Sequence, residues 1–144
     1  MQEIKTGYGL SPAVLIASAL YTADTTPVSV DCTGYDGATI SLAIGVGGIT
    51  FTGTNKIEFV LEHSNDGSTW AAVTTADMIG VTIASGGIIR ALVAAKAAAD
   101  VVFYRYQGPR QFLRLTADFS GTHGTGTGIS AVLIRGNPAI PVIA

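Results

Sequence analysis

Apolar and polar residues alternate with period two in five separate stretches of the chain. Val28, Val30 and Cys32 alternate with Ser29 and Asp31. Ile40, Leu42 and Ile44 alternate with Ser41 and Ala43, and Ile57, Phe59 and Leu61 with Glu58, Val60 and Glu62. Leu113, Leu115 and Ala117 alternate with Arg114, Thr116 and Asp118. Ile129, Ala131, Leu133 and Arg135 alternate with Ser130, Val132 and Ile134. Side chains of a strand point to opposite faces in turn, so each stretch predicts a half-buried strand. Val101 to Tyr106 predicts another, with β-branched and aromatic side chains on both faces. The apolar run Pro12 to Tyr21 and a short segment at Trp70 to Thr74 bring the expected number to about eight.

Turn chemistry separates these runs. Asn65-Asp66-Gly67 stands between the Ile57–Glu62 strand and Trp70 and predicts a hairpin, because Asp and Gly tolerate positive φ. Gly34 to Gly37 links two further strands, and Gly108-Pro109 separates Val101–Tyr106 from Phe112–Ala117. The fold class is therefore all-β, an antiparallel β-sandwich or jelly roll. One short helix or loop is expected near 88–99. Ile88 to about Leu92 suits a strand, while the Ala-rich remainder suits a helical turn or loop. The sandwich domain is expected over 12–136. Residues 1–11 form an N-terminal arm and 137–144 a C-terminal arm, both carrying apolar residues of the kind that order against a partner.

Composition sharpens this picture. Charged residues make up only 12% of the 144, against 48% apolar and 18 glycines. That is about half the usual charged share. The chain is too apolar for a disordered tail and not basic enough for a typical nucleic-acid binder. No uninterrupted run of 18 apolar residues marks a membrane span. A surface of Thr, Ser, Gly and Ala is a solubility risk for a free monomer and suits a subunit held against other subunits. Charge is also divided unevenly: residues 1–72 carry a net −5 and residues 73–144 a net +3. One cysteine, Cys32, allows no intramolecular disulfide and is read as a small core hydrophobe. The first residues carry no net positive charge and Pro12 interrupts the apolar run, so no signal peptide is expected. Synthesis in a cytoplasm is expected.

Candidate chemistry is sparse. Gly121 to Gly128 resembles a phosphate loop in composition but lacks the following Lys-Ser/Thr and opens a strand, so it is read as a mobile loop. His63 and His123, the two imidazoles, stand in no ligand or triad spacing and are expected to be exposed structural residues. Asn65-Asp66-Gly67-Ser68 lacks the remainder of a calcium loop. Glu58 and Glu62, four apart on a strand, are about 13 Å apart, too far for a glycosidase pair, and are expected to face solvent. Trp70, Tyr104, Tyr106 and Phe112 suit either a sugar-stacking platform or core and interface packing. Arg105, Arg110 and Arg114 cluster in sequence around the Gly-Pro turn and suit an interface, since Arg pairs with carboxylates and stacks on rings. No catalytic, metal or cofactor-binding residue is assigned and no enzyme activity is expected.

Two stretches carry a family resemblance. Asp31 to Ala72 contains Glu62, Ser64, Asp66, Gly67 and Trp70 in an E-x-S-x-D-G-x-x-W pattern. Phe103 to Leu115 (FYRYQGPRQFLRL) contains Tyr106, Gly108, Arg110 and the strand Phe112-Leu113-Arg114-Leu115. With the Gly136-Asn137-Pro138 end, they resemble the capsid decoration or cement proteins of tailed bacteriophages, of the Bordetella-phage kind. The resemblance covers about two-thirds of the chain. It implies a jelly roll on the outer surface of a virion, bound to the major capsid protein and clamping neighbouring subunits. The implied partner is that capsid protein; the chain itself is expected as a further partner, in a homo-oligomer (dimer or trimer), and neither nucleic acid nor membrane is expected. The candidate interface is Arg105, Arg110, Arg114, Pro138, Ile140 and Val142. The alternative is a carbohydrate- or receptor-binding β-sandwich module of a phage particle.

Overall fold

A computed structural model describes residues 9–138. Ten strands build two antiparallel sheets. The strands are β1 (Ser11–Tyr21), β2 (Val30–Asp31), β3 (Tyr35–Ile44), β4 (Lys56–Ser64), β5 (Ala71–Ala72), β6 (Met78–Ile79), β7 (Ile88–Leu92), β8 (Asp100–Tyr106), β9 (Phe112–Ser120) and β10 (Thr127–Pro138). The first sheet runs β1-β10-β3-β8-β6. The second runs β2-β9-β4, with β5 and β7 sharing the far edge of β4. Taken without the two-residue strands β5 and β6, successive strands alternate between the sheets except at β4–β7. That wiring, with orders 1-10-3-8 and 2-9-4-7, is that of a jelly roll.

The alternation seen in the sequence becomes the core. Ile40, Leu42 and Ile44 of β3 and Ile129, Ala131 and Leu133 of β10 point inward from the first sheet. Ile57, Phe59 and Leu61 of β4 and Leu113, Leu115 and Ala117 of β9 meet them from the second. Phe51, from the loop before β4, closes one end of this core. Arg90 on β7 and Asp100 at the start of β8 tie the sheets together with two bonds of 3.2 and 2.7 Å, and Lys96 joins the same carboxylate at 3.1 Å.

Several expectations take a different form. The Val28–Cys32 alternation yields only the two-residue β2, because the chain before it covers the edge of β9 irregularly: Thr25 exchanges hydrogen bonds with Ala117, and Asp24 accepts one from the Phe119 N–H. The strand at Trp70–Thr74 shrinks to β5. By contrast, Ile88–Leu92 is a strand as expected, and of the two forms expected after it, residues 93–99 take the loop. Both histidines are buried, not exposed. His63 (5% exposed) follows Ile57, Phe59 and Leu61 in the inward register of β4, and His123 (3% exposed) packs edge-on against Phe119 at 4.7 Å. The Gly121–Gly128 loop is packed: Thr127 is fully buried and accepts from the Gly48 N–H, while Asn55 accepts from the Thr122 N–H.

Candidate interface

The two motifs behind the family resemblance lie at one end of the sandwich and form one unit. Ser64, at the end of β4, pairs with Phe112, at the start of β9. The hairpin after Ser64 turns at Gly67, whose φ of 73° favours glycine. The Ser64 hydroxyl accepts from the Gly67 N–H at 2.9 Å, and Asp66 accepts from Ser68 and Thr69 N–H groups at 2.8 and 2.7 Å. Those backbone donors hold the Asp66 carboxyl down at about 2. Two register steps along, Glu62 accepts from Arg114 Nε at 2.7 Å, and the Arg114 guanidinium lies 4.3 Å from the Trp70 ring centre.

The Gly108–Gln111 loop crosses from the first sheet to the second at this same end. A Cβ on Gly108 would run into the Tyr106 ring, so the chain folds back over its own tyrosine only with glycine there. The Tyr106 hydroxyl accepts from the Arg110 N–H at 3.2 Å and lies 2.8 Å from His63 Nδ1. The hydroxyl proton is thereby left for a neutral His63 to accept. Burial lowers the His63 pKa, favouring that neutral form, and pushes the Tyr106 phenol up to about 12. Burial also pushes the Cys32 thiol up to about 11. Neither Tyr106 nor Cys32 is an activated nucleophile at neutral pH.

Between this loop and the β2–β3 turn lies a polar cleft of about 310 Å³, lined by Thr33, Tyr35, Asp36, Tyr106, Arg110 and Gln111 among others. The Arg110 guanidinium makes no ion pair among the described residues. Arg135 clasps the same end: it donates to Asp31 O at 2.8 Å and Ser11 Oγ at 2.7 Å, joining β1 to β2. Both termini of the described chain are here, since β1 starts beside Arg135 and Pro138 pairs with Tyr35.

The three arginines expected to cluster do not form one patch. Arg105 is outward on β8 of the first sheet, opposite Thr39. Arg114 is outward on β9 of the second sheet and already paired. Arg110 sits on the loop between them. Pro138 ends β10, while Ile140 and Val142 lie outside the described residues. The four candidate aromatics do not form one exposed platform either. Tyr104 and Tyr106 are buried, Trp70 lies under Arg114, and Phe112 packs close to Gly67. Among the described residues no cluster of three His, Cys, Asp or Glu side chains could hold a metal ion.

The sequence reading missed the outer face of the first sheet. Val14, Val101 and Phe103 are 55%, 59% and 65% exposed there. Val132 pairs with Val14 on one side and Ser41 on the other, and Ser41 pairs with Phe103, so these four form one row across the sheet. The neighbouring row is Pro12, Ile134, Thr39, Arg105 and Ile79. Arg105 is the sole charge at the described outward positions of this sheet. The signal is Val101–Tyr106, apolar on both faces save for Arg105, a pattern that leaves one apolar face outside the core.

No protein-family model matches the chain, and no curated protein matches it. Among solved structures it is similar to a protein from Bacillus endospore appendages, described as a family of disulfide-linked pili. The identity is 16%, over 90% of this chain and 88% of that one, with a TM-score of 0.38.

Proposed function

We propose that the chain is a virion structural protein, a capsid decoration or cement subunit that binds the major capsid protein shell of a tailed phage from outside and stabilises it. The observation that carries this reading is the convergence at one end of the sandwich. The E-x-S-x-D-G-x-x-W hairpin, the Tyr106–Leu115 motif, Arg110 with no ion pair among the described residues, and both ends of the described chain gather there. A double sheet that brings these loops and the ends of the described chain together at one end is suited to seating on a surface and reaching across subunit boundaries. The role is binding rather than catalysis. A protein that binds only the assembled shell stabilises that state by mass action.

The test compares phage particles with and without this chain during heating, following release of DNA. Particles carrying the chain release DNA at the higher temperature, and Arg110→Glu reduces the number of copies bound. An unchanged release temperature, with no copies in purified virions, overturns the proposal.

A further inference from the structure

We infer that His63 is a proton-operated latch on the Gly108–Gln111 loop. A neutral His63 holds the loop closed through the Tyr106 hydroxyl, and a protonated His63 releases it and moves Arg110. The latch is a property of the free chain and stands whether or not Arg110 meets a capsid.

The loop is fixed at both ends and lightly held between them. At its start, the Gln107 N–H donates to Asp77 O at 2.7 Å, and the Gln107 side chain donates to Ala76 O and Met78 O. These bonds pin the chain to the short 3-10 helix Thr75–Asp77 and to β6. At its end, Gln111 O accepts from the Cys32 N–H at 2.7 Å. Gly108, Pro109 and Arg110 stand between these anchors, and Pro109 has no N–H to give. Among the described residues, one hydrogen bond draws this stretch inward, from the Arg110 N–H to the Tyr106 hydroxyl.

The same hydroxyl decides whether that bond can form. It carries one proton, and His63 Nδ1 lies 2.8 Å away with the two rings edge-on. With Nδ1 bare, the hydroxyl donates to it and turns a lone pair to the Arg110 N–H. A proton on Nδ1 makes the histidine a second donor aimed at the same oxygen. The hydroxyl proton then loses its acceptor, and no other described group bonds it. A buried donor without a partner is costly, so the closed loop gives way. Lifting Gly108 to Arg110 off the Tyr106 ring lets water reach the hydroxyl and the imidazolium behind it.

The surrounding groups set the direction with pH. Asp77 favours a proton on His63, and Arg110 opposes it. Leu113 and Ala71, the strand partners of His63 on β9 and β5, bring no charge. Glu62, its neighbour on β4, is engaged outward by Arg114. The Tyr106 phenol and the Cys32 thiol, raised to about 12 and about 11, stay neutral throughout. Burial outweighs Asp77 and holds His63 in the closed loop below its ordinary 6.5. In the open loop His63 is wet and takes up its proton first as pH falls. The closed form is therefore whole above about pH 6.5 and is lost progressively below it.

The experiment is an NMR titration of the isotope-labelled chain from about pH 7.5 to about pH 4.5, the range in which histidine changes charge. It follows the His63 ring and the hydrogen-exchange protection of the Arg110 amide. The expected result is protection that falls roughly tenfold or more as His63 protonates, while amides of the β4–β9 ladder keep theirs. His63→Asn puts a carbonyl oxygen that does not titrate near the place of Nδ1, and Arg110 should then stay protected to the acid end. Tyr106→Phe removes the acceptor, and Arg110 should exchange freely at every pH. The ladder amides show that each variant is folded, and the titration of the parent chain decides by itself if one is not. Arg110 protection that persists to the acid end, the same acid loss in folded His63→Asn, or full protection in folded Tyr106→Phe overturns the latch.

Discussion

The two sheets are alike toward the core and opposite toward solvent. The outward positions of β4 and β9 carry Lys56, Glu58, Glu62, Arg114 and Asp118, with Lys56–Glu58 and Arg114–Glu62 in contact at 2.7 Å. The outward positions of β10, β3 and β8 carry Gly, Ser, Thr, Ala, Val, Ile, Tyr and Phe, and one arginine. A sandwich needs only one apolar face per sheet, so the outward apolar side chains of the first sheet are not required by its core. The low overall charge of the chain is therefore not evenly spread. It reflects one ordinary charged face and one nearly bare one.

The strongest way to break this comparison is to swap the two registers of β8. Tyr104 is buried and Phe103 is 65% exposed, although they are neighbours. In the dilute chain, Tyr104→Ala should lower unfolding free energy by about 3 kcal/mol and Phe103→Ala by less than about 0.5 kcal/mol, read from urea melts. Equal losses would mean that Phe103 is needed for the fold.

A smaller effect separates the charges of the two faces. Arg114 bonds Glu62 and stacks on Trp70, so Arg114→Ala should cost about 1 kcal/mol, an effect that shrinks in high salt. Arg105 has no ion-pair partner among the described residues, and Arg105→Ala should leave the dilute chain unchanged.

The smallest effect lies in the hairpin of the charged sheet. The Asp66 carboxyl is held at about 2, below its ordinary 3.8, so the unfolded chain takes up the proton first as pH falls. The stabilisation is whole above about pH 4 and disappears as pH falls toward 2. Asp66→Asn should melt below the parent chain at neutral pH and converge with it across that acid window.

Much of this was legible in the residues. Period-two alternation located β3, β4, β9 and β10, and Asn65-Asp66-Gly67 marked the hairpin. His63 was legible too, since it continues the inward register of Ile57, Phe59 and Leu61; reading it as exposed gave residue type precedence over register. The arginines were not legible as a group. Arg105 and Arg114 are nine residues apart, but the intervening loop crosses between sheets, and nothing local distinguishes a crossing loop from a hairpin. Val101–Tyr106 was ambiguous because both of its faces are apolar, and only the neighbouring strands decide which one faces the core. The motifs located the candidate interface in sequence, yet their union through Glu62, Arg114 and Trp70 depends on the β4–β9 pairing across 52 residues.

The pairing of β1 with β10 also bears on how the protein is made. Residues 11–21 lie against residues 127–135, so the first strand described, made earlier, waits for the last one described. β3 needs the same late strand as its neighbour. Until it arrives, the first sheet lacks the strand that joins β1 to β3, and apolar β1 has no partner on either edge. Such non-local wiring folds slowly and leaves sticky strand edges exposed meanwhile. Folding is thus expected to follow synthesis rather than accompany it, and truncation before residue 127 should yield aggregates rather than a smaller domain.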